Sequence, residues 1–137
     1  FVYSVMEQLI TGIQQCGIGT KDAHEAALFY KNLLGMKCLV FDDVADASLM
    51  KRYTGNEVQR RRAMLTMNLQ GGGGLELWQF LNRTPQGTAS PIRFGDIGIY
   101  AIKIKTANVA AAHQFCYRQT AAASHPPLFH VTLFVLA

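Results

Sequence analysis

Residues 14 to 36, QQCGIGTKDAHEAALFYKNLLGM, restrict the fold more than any other stretch, because they set a short strand directly before a sharply capped helix. Asp22 and Glu25 form a D-x-x-E capping box, a helix start signal. Ala26, Ala27, Phe29, Tyr30, Leu33 and Leu34 recur at helical spacing, and Gly35 supplies the stop. Lys37 to Phe41 reads as a short strand closed by Asp42 and Asp43. Residues 44 to 60 read as a long polar loop with a helical turn.

Arg62 to Leu69 alternates, with Ala63, Leu65, Met67 and Leu69 on one face and Arg62, Met64, Thr66 and Asn68 on the other. This is the pattern of a half-buried strand. Gly71 to Gly74 reads as a reversal before a further strand, Leu75 to Phe80. The glycines precede a strand and no Lys-Ser or Lys-Thr pair follows, so a hairpin turn accounts for them better than a phosphate loop. Residues 81 to 95 hold Pro85, Gly87, Pro91 and Gly95 and read as a linker. Ile97 to Lys105 is again a strand and Asn108 to Tyr117 again a helix, so the second half begins like a copy of the first. Matching Tyr30 to Phe115 sets Asp22 opposite Ala107 and Gln15 opposite Tyr100. The inference is a βαβββ unit used twice.

At 137 residues the chain has the size of one domain, and with 50% hydrophobic and 16% charged residues it buries a core. The net charge of +4 is spread along the chain except at Lys51-Arg52 and Arg60-Arg61-Arg62, which read as a solvated basic loop and not as a nucleic-acid surface. Cys16, Cys38 and Cys116 are widely spaced without a CxxC, which argues against a disulfide scaffold or zinc ribbon and for a reducing, cytoplasmic compartment. Cys16 and Cys38 fall in apolar strands and read as core. No apolar run reaches the about 18 residues of a membrane span. The opening FVYSVMEQLITG lacks signal-peptide features, and Met6 is a candidate natural start. The ending PPLFHVTLFVLA is apolar to the last residue and reads as truncated, altered or divergent.

The pattern Q-x-x-I-x-x-K-D-x-x-x-A-x-x-F-Y-x-x-L-L-G-M, then G-G-x-E-L-W, then F-G-x-I-G-I, resembles the vicinal oxygen chelate superfamily of glyoxalases, bleomycin-resistance proteins and extradiol dioxygenases. Residues 14 to 36 resemble the opening of glyoxalase I especially closely, and the resemblance to the superfamily covers residues 12 to about 117. The resemblance implies an α+β fold in which paired βαβββ modules form a cupped mixed sheet. It divides the single domain, residues 1–137, into a first module at 12–80, the linker at 81–95, and a second, incomplete module at 96–137.

In that family each module contributes metal ligands from its first and last strands. Carried over, Gln15 and Glu76 match the first two ligands; both are oxygen donors suited to a divalent ion. Gln15 shares a strand face with Gly17 and Gly19, which leaves room beside it. Glu76 shares one with Trp78 and Phe80, an apolar wall. The family's third ligand, a histidine after F-G, is here Asp96, while counting back from the second helix points to Tyr100. The fourth, a carboxylate near the chain end, has no counterpart, since no Asp or Glu follows Asp96; His130 is the remaining donor in a late strand. A lone histidine on an apolar strand is more often a core or edge residue.

Two functions follow from the resemblance. One is a metal-dependent lyase or isomerase acting on a carbonyl or hemithioacetal, with Gln15, Glu76, Asp96 and His130 as ligands and Glu76 doubling as the proton-transferring base. The other is a metal-free small-ligand-binding protein of the bleomycin-resistance type, using Trp78, Phe80, Tyr100 and Gln15. Glu76 also reads, without the resemblance, as a solvent-facing strand residue. The thin donor set implies a divalent ion (Ni, Zn, Mn or Mg) held weakly or not at all. The resemblance and the exposed strand edges imply a homodimer.

Overall fold

The computed structural model describes residues 12–87, 89–90, 93, 95, 101–121 and 130–134, with the side chains of 121 and 130–134 excepted. The chain divides into two compact units between Pro85 and Gln86.

The first unit contains β1 (Gln15–Gly19), α1 (Ala23–Leu34), β2 (Cys38–Asp46), a 3-10 helix (Ser48–Tyr53), β3 (Arg60–Met67) and β4 (Gly74–Phe80). Its sheet has the order β1-β4-β3-β2, with β1 parallel to β4 and the other pairs antiparallel. The result is an α+β unit of βαβββ form with a mixed sheet, as the sequence pattern predicts.

Local chemistry sets the element ends. Asp22 caps α1 by accepting from the Glu25 N–H at 2.9 Å. The reciprocal half of the capping box is replaced: the Asp22 N–H donates to Thr20 Oγ1 at 3.3 Å instead of to Glu25. Gly35 ends the helix at φ 65°, a left-handed conformation that glycine adopts without steric cost. Asn68 then locks the helix end to the sheet, its Nδ2 donating to the Leu34 carbonyl at 2.9 Å.

The Gln79 side chain accepts from the Ala23 N–H at 3.0 Å, so Leu75, Leu77 and Gln79 point toward α1. Leu77 is fully buried there; Met64 and Thr66 of β3 share this face and are buried too. Ala63 and Leu65 on the opposite face are equally buried, so the centre of β3 is covered on both sides. The half-buried pattern read from its alternation holds only toward its ends.

β3 stops at Met67, short of the expected Leu69, which is exposed. The facing ends of β2 and β3 differ from the sequence reading for one reason. Asp42 and Asp43 do not close β2; it runs on to Asp46, and β3 begins at Arg60. Across this antiparallel pair Arg61 Nη1 meets Asp43 Oδ2 at 2.7 Å, Arg60 Nη1 meets Asp46 Oδ1 at 3.5 Å, and Arg62 Nε lies 3.0 Å from Asp42 Oδ1 without hydrogen-bond geometry. Opposite charges facing across strands stabilise the ladder. The arginine cluster is therefore paired strand, not the solvated loop of the sequence reading. Cys16 and Cys38 are half-buried and lie outside the core.

The second unit contains β5 (Ala101–Lys105), α2 (Val109–Ala121) and β6 (His130–Phe134), with β5 parallel to β6. It repeats the entry to α1 bond for bond. Asn108 Oδ1 accepts from the Ala111 N–H at 3.0 Å, and Thr106 Oγ1 accepts from the Asn108 N–H at 3.3 Å. Thr106 and Asn108 are thus the counterparts of Thr20 and Asp22. The repeat is shifted by one residue from the alignment on Tyr30 and Phe115: Phe115 answers to Phe29, and Ala101, not Tyr100, answers to Gln15. Helix capping fixes the register where the apolar pattern alone leaves it free. No helix among the described residues is long and apolar enough to cross a membrane.

Candidate functional site

The sheet face opposite α1 is set by strand register. Gly17 pairs with Glu76, Gly19 with Trp78, Leu65 with Glu76, Ala63 with Trp78 and Arg61 with Phe80. Gln15, Glu76, Trp78, Phe80 and Arg61 therefore share this face, since alternate strand residues point the same way.

Gln15 Nε2 donates to Glu76 Oε2 at 2.5 Å. The two residues predicted to act together are thus brought into contact, in a half-buried position where a hydrogen bond to a charged acceptor is strong. The open space beside them comes from Gly17: a Cβ built there meets no atom within 4 Å. Gly74, at the strand start, is the opposite case. A Cβ there would lie 2.8 Å from Leu65 Cδ1 and 3.2 Å from the Thr66 carbonyl oxygen, so a larger residue would force β3 to shift at this point.

Further along β4, Trp78 is half-buried and lies under Arg61, whose Cζ is 5.2 Å from the ring centroid. Arg61 is anchored by Asp43 through both the carboxylate at 2.7 Å and the backbone carbonyl at 2.9 Å. Arg83 sits over Phe80 with its Cζ 4.5 Å from that ring centroid. Both contacts fall within cation–π range.

The sequence reading missed Arg61 and Arg83. The signal for Arg61 was present: it has the same parity as Ala63, Leu65 and Met67, so extending the alternation back by one step puts it on this face. Arg83 lies past the strand end, where periodicity carries no information. Asp96 and Tyr100 lie outside the described residues. His130 lies opposite Ala101 in the β5–β6 register, the place that Gly74 occupies opposite Gln15. The second-unit counterpart of Glu76 is therefore Thr132.

The described residues do not fit a firmly held metal ion. Gln15 meets Glu76 through its amide nitrogen and not its oxygen, and among the described residues no group of three His, Cys, Asp or Glu is placed to hold an ion. An ion here would rest on one carboxylate and one neutral amide, far from the six or more oxygens that hard cations take.

A glyoxalase-family protein from Bacillus cereus has a similar structure, with a TM-score of 0.66 and 13% identity over 84% of this chain and 76% of that one. At that identity the likeness shows the fold: this chain has a glyoxalase-like α+β fold. No protein-family model matches the sequence. No curated protein matches it either.

Proposed function

We propose that the chain is a glyoxalase-like protein that binds a small molecule on the sheet face formed by Gln15, Glu76, Trp78 and Phe80, working as a homodimer. The observation that carries this reading is the Gln15–Glu76 contact beside Gly17, a polar pair on the face that also carries Trp78 and Phe80, with open space next to it. A few fixed polar groups amid aromatic surface are the usual make-up of a small-ligand site. Trp78 is the only tryptophan in the chain, so its emission reports directly on this face. Saturable quenching of Trp78 by small aromatic or carbonyl compounds, lost in Glu76→Ala, is the expected result. Unsaturable quenching unaffected by that change refutes the reading.

A second reading, a lyase or isomerase acting on a carbonyl or hemithioacetal, is favoured by the same contact. It puts a carboxylate able to accept a carbon-bound proton in a half-buried position. If a divalent ion takes part, its donors must extend beyond Gln15 and Glu76. The test is turnover of a methylglyoxal–glutathione hemithioacetal by protein supplied with Ni, Zn, Mn or Mg. Turnover lost in Glu76→Gln supports catalysis; its absence with each metal leaves binding as the function.

A further inference from the structure

The proposed binding face is electrically two-ended. At one end stands the Glu76 carboxylate with its Gln15 partner. At the other stand two guanidinium groups, Arg61 over Trp78 and Arg83 over Phe80, against the one carboxylate of Asp43. Arg61 donates to Asp43 through Nη1 alone among the described residues, which leaves its Nε and Nη2 edge without a described acceptor. Arg83 has no carboxylate within ion-pair distance among the described residues.

A strand rises about 3.3 Å per residue, so Trp78 lies about 7 Å and Phe80 about 13 Å along β4 from Glu76. Guanidinium groups stacked on aromatic rings keep their in-plane N–H donors free to face an anion. We propose that this face takes an elongated, anion-tipped small molecule. Its carboxylate or phosphate lies at Arg61 and Arg83, its planar or apolar body over the open strand positions Gly17 and Gly19 beside Glu76 and Trp78, and a hydroxyl or amine end at Glu76 and Gln15. The inference rests on the binding role proposed for this face and adds the charge and polarity of its ligand. The anchoring by Asp43 gives Arg61 a positioning role: it fixes the guanidinium over Trp78 and leaves the opposite edge for the ligand.

The full chain is titrated with 3-(4-hydroxyphenyl)propionate, its neutral amide, 3-phenylpropionate and 2-(4-hydroxyphenyl)ethyl phosphate, read by quenching of Trp78. The acid is expected to bind at least about ten-fold more tightly than the amide, the difference one charge-assisted contact supplies. It is also expected to bind more tightly than 3-phenylpropionate, which lacks the hydroxyl. Arg83→Ala, at an exposed position, collapses the acid–amide ratio while leaving the circular dichroism spectrum unchanged. Arg61→Lys keeps a cation beside Asp43 but loses the planar fork, and lowers the same ratio. Glu76→Gln removes the preference for the hydroxyl. A tighter phosphate ester assigns a phosphorylated ligand and a tighter acid a carboxylate, and both support the proposal. Equal binding of acid and amide overturns the charge assignment while leaving the binding role intact. Failure of every probe to bind overturns both.

Discussion

Gln15 and Glu76 are joined by a hydrogen bond of 2.5 Å between strands that are parallel neighbours, although α1, a 3-10 helix and two strands separate them in sequence. The bond ties the first strand of the unit to its last. A double-mutant cycle of Gln15→Ala and Glu76→Ala, followed by urea denaturation, should give a coupling energy of about 1 kcal/mol. Strict additivity would mean that the amide and carboxylate do not meet in solution.

Gly17 gives a cleaner test of where a ligand sits. It stands opposite Glu76, and an added Cβ meets no atom within 4 Å. Gly17→Leu should therefore fold with a normal melting curve while filling the site. Binding of 3-(4-hydroxyphenyl)propionate should fall by at least about ten-fold. Unchanged affinity would place the ligand elsewhere.

Much of this was legible in the sequence where one residue decides one feature. Asp22 and Gly35 bound α1, and the alternation through Leu75–Phe80 puts Glu76, Trp78 and Phe80 on one face. What escaped depends on partners distant in the chain. Asp42 and Asp43 look like a strand end until Arg62 and Arg61 are known to reach them diagonally from the neighbouring strand. The one-residue shift of the repeat was hidden for a related reason. Thr106 and Asn108 are weak signals singly, and only their mutual hydrogen bonds show that they copy Thr20 and Asp22. That Gln15 would meet Glu76 was expected from the family resemblance, not from spacing.

Metal content follows from the donor set. One neutral amide and one carboxylate, already joined by a hydrogen bond, should hold a divalent ion weakly. After dialysis, elemental analysis should find well under one ion per chain. A stoichiometric ion that survives dialysis and disappears in Glu76→Ala would show that further donors complete the site.

Among the described residues β1 and β2 are the edges of the first unit's sheet, and β2 exposes Leu39 at 53% and Val40 at 50%. Exposed apolar edges invite pairing with another chain. Sedimentation at micromolar concentration should show a dimer, and Val40→Lys, at the irregular point between Leu39 and Phe41, should shift it toward monomer. A wild-type monomer would count against association, and a dimer indifferent to Val40→Lys would move the interface off this edge.

Tyr30 makes stability depend on alkaline pH in a defined window. It lies on the buried side of α1, 5% exposed, and burial pushes its phenol from the ordinary 10.0 up to about 12. Below pH 10 the phenol is protonated in both the folded and unfolded chain, so its contribution is constant. Between the two values the unfolded chain has released the proton and the folded chain has kept it. The unfolded state then binds fewer protons, and stability falls as pH rises, by up to about 1.4 kcal/mol per pH unit. Above about 12 both states are ionised and the loss is complete. Urea denaturation from pH 8 upward should show this decline, and Tyr30→Phe should remove its share, the other tyrosines cancelling in the comparison. Parallel pH profiles for the two proteins would mean that the phenol reaches water in the folded state.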